Sequence, residues 1–156
     1  MSADLDHIDH RILDLLQQDA SLSVDAISER VALSRNACWR RVKAMESLGV
    51  ITARVALLDP AKVGCPLLAF VLIRTDRHSD VWRQSFSQVI AAMPEVTAAH
   101  RMTGDLDYVL TVRLSDVAAY DLFYKHLTSR ISVSDISASF VMEDIKATTA
   151  LPLGKT

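Results

Sequence analysis

Asn36, Arg40, Lys43 and Ser47 follow one another at steps of four, three and four residues. At about 100° per residue, that spacing sets an amide, a guanidinium, an ammonium and a hydroxyl along one face of a helix. These groups suit a nucleic-acid duplex: Asn pairs with two atoms of adenine, Arg with two of guanine, and Lys grips phosphate. Arg35 and Trp39 lie on one shoulder of that face and Arg41 on the other. Any surface helix also turns charge outward, so the surrounding elements decide between the two readings.

The helix has clear ends. Ser34 is placed to accept a hydrogen bond from an orphaned amide in the first turn, and Gly49 sits where a left-handed residue closes the last. Cys38, Val42, Met45 and Leu48 form the inward stripe. Upstream, Leu5, Ile8, Ile12, Leu15 and Leu16 give an amphipathic helix over about residues 6–18, with Asp6 and Asp9 at the positive end of its dipole. A second helix, Val24–Val31, starts after the N-cap candidate Ser23 and turns Ile27 and Val31 inward. Ala32-Leu33 is then the turn of a helix-turn-helix, whose second helix enters a major groove. The alternating run 50–58 predicts a strand, on which Arg54 would touch the backbone phosphates as a wing does. Residues 1–58 therefore read as a DNA-binding domain.

Whole-chain charge does not supply the attraction, because the 156 residues carry a formal net charge of −2. A local basic patch must do so. No apolar run reaches the length of a membrane span and the polar start is unlike a signal peptide, which predicts a cytoplasmic protein without a membrane partner. Cys38 and Cys65 are expected as free thiols in that compartment. His7 and His10 share a helix face, but no acidic or thiol cluster completes a metal site. His78 precedes a predicted helix and His126 is placed at the end of another. With no paired nucleophile and base and no phosphate loop, no catalytic residue, metal or cofactor is assigned.

Residues 59–66 read as a linker, with Asp59 capping a one-turn helix that starts at Pro60 and stops at Gly64. From 67 to 156 the order is strand (67–73), helix capped by Ser79, strands (96–102 and 108–114), helix capped by Ser115, and strand (136–142). That βαββαβ order is a ferredoxin-like α+β domain. Its helices cover one face of the sheet. On the other, Val71 and Ile73 are expected to need cover from a second subunit, which predicts a homodimer.

The first forty-five or so residues after the start resemble the N-terminal module of the Lrp/AsnC (feast/famine) regulators, in the D-x-x-D-x-x-I-L start, the V-x-L-S turn, the R-R-V-K core and the L-G-V-I exit. Ala32 departs from the Gly of many members. The βαββαβ order and the V-M-E-D-I-K stretch resemble the effector and oligomerisation domain of the same family. The resemblance implies a sequence-specific transcriptional regulator. On the residues themselves, Arg35, Asn36, Trp39 and Arg40 are the candidates for base or groove contact beside the capping Ser34, and Arg41, Lys43 and Arg54 those for phosphate, although the shoulder position of Arg41 also suits a structural salt bridge. The resemblance further implies a small effector, an amino acid, and assembly of dimers into an octamer.

Thr103-Gly104-Asp105-Leu106-Asp107-Tyr108 is similar to the family's G-D-x-D-Y signature. By that likeness, Asp105 and Asp107 receive an ammonium and amides near Gly104 a carboxylate. His100, Met102, Val117, Ser139, Phe140 and Val141 then shape the side-chain compartment between dimers. By spacing alone the same loop is a hairpin turn. The A-C-W-R-R run is similar to a subgroup that includes cysteine-responsive members. Two other readings remain open from sequence: a ferredoxin-like small-molecule-binding or enzymatic domain with a helical appendage, and an architectural DNA-binding protein without effector control.

Overall fold

The computed structural model describes residues 4–153, and these divide into two compact units. One runs to Leu57 and includes the tail from Lys146; the other is Leu58–Ile145.

Three helices build the first unit: α1 (His7–Gln18), α2 (Val24–Val31) and α3 (Arg35–Ser47). Asp6 caps α1 through a reciprocal box with Asp9, while Ser23 and Ser34 cap α2 and α3. Ile12, Leu13 and Leu16 meet Ile27, Val31, Cys38, Val42 and Met45 in one core. Leu48, expected on that stripe, is 67% exposed at the C-cap, because the chain turns away there. Leu153 packs on the same core. The Gln17 side chain donates to the Leu151 carbonyl (3.3 Å) and accepts from its amide (2.6 Å). The tail thus groups with the helices instead of with the domain 67–156 expected from composition.

The second unit contains β1 (Leu67–Arg74), α4 (Asp80–Ala91), β2 (Val96–Arg101), β3 (Tyr108–Leu114), α5 (Val117–Arg130) and β4 (Asp135–Phe140). The antiparallel sheet has the order β2-β3-β1-β4, as the βαββαβ reading requires. Val71, Ile73, Leu110 and Val112 pack with Trp82, Phe86, Ile90, Phe123 and Leu127 of the two helices. Val71 and Ile73 are therefore core residues with no exposed area, which corrects their placement on the open face. Strand side chains alternate, so Leu68, Phe70 and Leu72 of β1 lie opposite, with Val109, Thr111 and Arg113 of β3. Phe70 remains 39% exposed.

Other departures are local. Asp116, not Ser115, caps α5, accepting from the Ala119 amide at 2.8 Å; α5 runs on to Arg130, so His126 lies inside the helix. The last strand ends at Phe140. Residues 60–64 form turns closed by Asp59, whose carboxylate accepts from Ala61 and Lys62. The run 50–58 belongs to no strand. It has the alternation of one, with Val55 and Leu57 each 72% exposed, but no described segment offers it a ladder.

Candidate nucleic-acid interface and effector loop

Ser34 orients α3 by accepting from the Ala37 amide at 3.3 Å. With Cys38, Val42 and Met45 buried, the helix can turn only its other side outward, and Asn36, Arg40 and Lys43 are all exposed there. Ser47 donates back to the Lys43 carbonyl at 2.9 Å, which occupies its hydroxyl proton within the helix. Trp39 is 51% exposed on the shoulder. The structure therefore brings the sequence-predicted donors together on one ridge. Burial pushes the Cys38 thiol pKa up, so that sulfur is an inert core atom.

The cations of this region differ in what holds them. Arg35 pairs with Asp25 of α2 at 3.0 Å. One carboxylate, Glu46, receives Lys43 at 2.7 Å and Arg54 at 3.0 Å. The hydrogen bond from Lys43, then its charge and that of Arg54, hold the Glu46 pKa below the ordinary range. Arg54 therefore folds back onto the helix end and is not part of a wing strand. Arg41 lies half-buried with Nη1 2.8 Å from both Asp6 and Asp9. These two ion pairs brace α3 against the start of α1. Arg40 makes no ion pair among the described residues. The Lys43–Glu46 pair was visible as an i,i+3 spacing; Asp25 and the fold-back of Arg54 had no such local signal.

In the second unit, Gly104 takes φ +102°, a conformation that favours glycine. Met102 and Asp107 close the loop, the Met102 amide donating to the Asp107 carbonyl at 2.8 Å. The Asp107 carboxylate accepts from the Thr75 amide at 2.8 Å, so one of its oxygens secures the end of β1. Thr103 and Asp105 are exposed and Tyr108 is buried. Tyr108 and His100 line a cavity of about 380 Å³ with Arg83, Phe86 and Ile90. The remaining expected effector residues are elsewhere. Ser139 pairs opposite Phe70 and Phe140 opposite Ala69, whereas Tyr108 pairs opposite Ile73. Val117 begins α5 just after Leu114, which pairs with Leu67. Val117, Ser139, Phe140 and Val141 thus cluster at one end of the sheet and the glycine loop at the other. Within one chain they do not form a single pocket.

A helix-turn-helix with an exposed cationic ridge, followed by a ferredoxin-like sheet domain with a glycine hairpin, defines a two-part regulator: one part for DNA, one for a ligand. Residues 5–52 match the model of a winged helix-turn-helix DNA-binding domain, and residues 68–151 match that of the Lrp/AsnC ligand binding domain. The chain is 47% identical over 150 residues to the DNA-binding transcriptional activator DecR of Escherichia coli K12, covering 96% of this chain and 99% of that one. Its fold is similar to the crystal structure of an AsnC family transcriptional regulator from Agrobacterium tumefaciens (TM-score 0.92, 49% identity, 95% and 97% coverage). It is also similar to a Neisseria meningitidis transcriptional regulator solved as its L-Met complex (TM-score 0.91, 38% identity, 95% and 96% coverage). The chain belongs to the Lrp/AsnC family and is a DNA-binding transcriptional regulator that responds to a small effector.

Proposed function

We propose that the protein binds its operators through α3 as a cytoplasmic homodimer, with Asn36 and Arg40 reading bases and Trp39 packing in the groove beside them. Arg35 lies at the groove edge in this reading, and Ser34, Lys43 and Arg54 face phosphates, with Arg41 behind them. The observation that carries it is the ridge itself: Asn36, Arg40 and Lys43 exposed on one side of a helix whose opposite side is core. A duplex enriched from a random pool by the wild-type protein supplies the operator. Arg40→Ala is expected to weaken binding to it about 10- to 100-fold, the loss of one bidentate base contact, and to relax preference at one base pair. Unchanged affinity and preference would remove Arg40 from the interface.

The effector in this proposal is a free amino acid. The likeness to a relative solved with L-Met supports that class, as does the hairpin around Gly104, whose exposed Asp105 can receive an ammonium. The separation of the candidate residues at two ends of the sheet supports a pocket completed between dimers, in an octamer. The A-C-W-R-R likeness puts L-cysteine first in the screen. Selective stabilisation by one of the twenty amino acids in a thermal-shift series is the expected result, since a ligand that binds only the folded state raises its stability. Failure of every one would exclude this effector class.

A further inference from the structure

The cations around the recognition helix fall into two groups. Arg40, beside Asn36 on the ridge, makes no ion pair among the described residues, whereas Arg35, Arg41, Lys43 and Arg54 each meet a carboxylate. Glu46 alone holds two of them, accepting from Lys43 with Oε2 and from Arg54 with Oε1. Lys43 is one turn back on the same helix. Arg54 arrives from beyond the helix, because Gly49 takes φ +71° and the Val50 and Ile51 amides both return to the Met45 carbonyl. One carboxylate therefore joins the end of α3 to the segment that follows it. Glu46 itself remains 30% exposed at the side chain, open to whatever its two cations approach.

We infer that Glu46 sets DNA specificity: its carboxylate competes with backbone phosphate for Lys43 and Arg54 while holding both in a fixed place. The inference rests on the reading of Lys43 and Arg54 as phosphate contacts. Sequence-independent binding comes from cations that release counterions from the duplex. A carboxylate on those cations repels phosphate and reduces the number released. That penalty applies to every duplex. The positioning gain applies only where α3 is seated in register, since phosphate contacts fix orientation when the bases fit. Glu46 thus weakens random-site binding more than operator binding. Asn36 and Arg40, which carry the base reading, are left unscreened.

The test is Glu46→Gln, measured on the enriched operator and on a random-sequence duplex across a salt series, with thermal melting as a control for folding. Random-duplex affinity is expected to rise about 3- to 10-fold, with a log–log salt slope steeper by up to about one unit. Operator affinity should rise less, so the ratio between the two falls. In a Lys43→Gln/Arg54→Gln background only the direct repulsion of phosphate is left to remove, so the same substitution should raise affinity for both duplexes equally and leave their ratio unchanged. In the wild-type background, equal changes on both duplexes or a loss of random-site affinity would each overturn the inference, as would a Glu46→Gln change in the operator-to-random ratio that survives in the double variant. If the double variant alone binds random DNA with wild-type affinity and slope, the phosphate-contact reading has failed first, and the inference falls with it.

Discussion

The recognition helix carries Arg35, Asn36, Trp39, Arg40 and Lys43 within thirteen residues, whereas the effector candidates are spread over β2, the hairpin, α5 and β4 and reach both ends of a sheet. The first set is assembled by the 3.6-residue repeat of one helix, so a single chain can complete it. The second set depends on strand order, register and, in our proposal, on other copies of the chain. A DNA-reading surface and a ligand pocket in one small regulator are thus specified on different scales. Local substitutions should act separately on the first and collectively on the second.

The largest effect that follows is at the open face of the sheet. Leu68, Phe70 and Leu72 alternate with the buried Ala69, Val71 and Ile73, and both helices pack on the buried side. Burying one large apolar side chain is worth about 1.5–3 kcal/mol, and in a two-fold interface each substitution counts twice. Phe70→Asp is expected to convert the proposed dimer to monomer in sedimentation at micromolar concentration, and with it to abolish the proposed amino-acid-induced stabilisation. Retention of the dimer would move the interface off this face. Retention of the ligand response by a monomer would break the comparison outright, by showing a pocket complete within one chain.

Much of this division was legible in the sequence for physical reasons. Ser23 and Ser34 declare helix starts because a hydroxyl before an apolar-periodic run has one good use, and both cap as expected. The βαββαβ order follows from the change of period between Leu67 and Phe140. The side of the sheet did not follow: a continuous apolar strand such as 67–73 gives no alternation to say which residues face the helices, and Val71 and Ile73 lie on the helix-covered side, not the open one. The 50–58 strand has the right alternation yet no partner among the described residues, since pairing is a property of two segments. Of the contact set, the ridge was readable from spacing. Arg41 was readable only as a shoulder residue, because Asp6 and Asp9 lie more than thirty positions away.

That pair gives an intermediate prediction. The Asp6 pKa is held down first by the Asp9 amide it caps and then by Arg41, and the two carboxylates push the Arg41 pKa up, Asp9 more than Asp6. A depressed carboxyl stabilises the fold above its ordinary value of 3.8 and loses that contribution as pH falls through the folded-state value. Arg41→Ala is therefore expected to lower the stability of the first unit at pH 7, read by amide exchange in α1 and α3, with the difference from wild type shrinking as pH falls below the ordinary Asp6 value of 3.8 and that carboxyl protonates. Its salt slope on DNA should stay that of wild type. A slope shallower by about one unit would instead make Arg41 a phosphate contact. An equal loss at both pH values would assign the effect to packing of the Arg41 stem.

The smallest effect comes from two helix ends that share one geometry. At the end of α3, the Gly49 amide returns to Glu46 and the Val50 amide to Met45; at the end of α2, the Ala32 amide returns to Glu29 and the Leu33 amide to Ser28. Both closures place their first residue at positive φ, +71° for Gly49 and +57° for Ala32. Glycine adopts that conformation freely, while alanine meets a cost of roughly 1–2 kcal/mol from its Cβ. Ala32 is exposed, so removing the methyl leaves no cavity. Ala32→Gly relieves the strain but loosens the unfolded chain by about 0.4–1 kcal/mol, leaving a net gain of about 0.5–1 kcal/mol. Protected amides of α2 and α3 should then exchange about 2- to 5-fold more slowly, while operator affinity stays unchanged because Ala32 lies outside the ridge. Faster exchange would mean that the Ala32 methyl stiffens the unfolded chain by more than its strain costs the fold. Weaker operator binding at unchanged stability would show that the turn between α2 and α3 takes part in docking, and would extend the DNA-reading surface beyond a single helix.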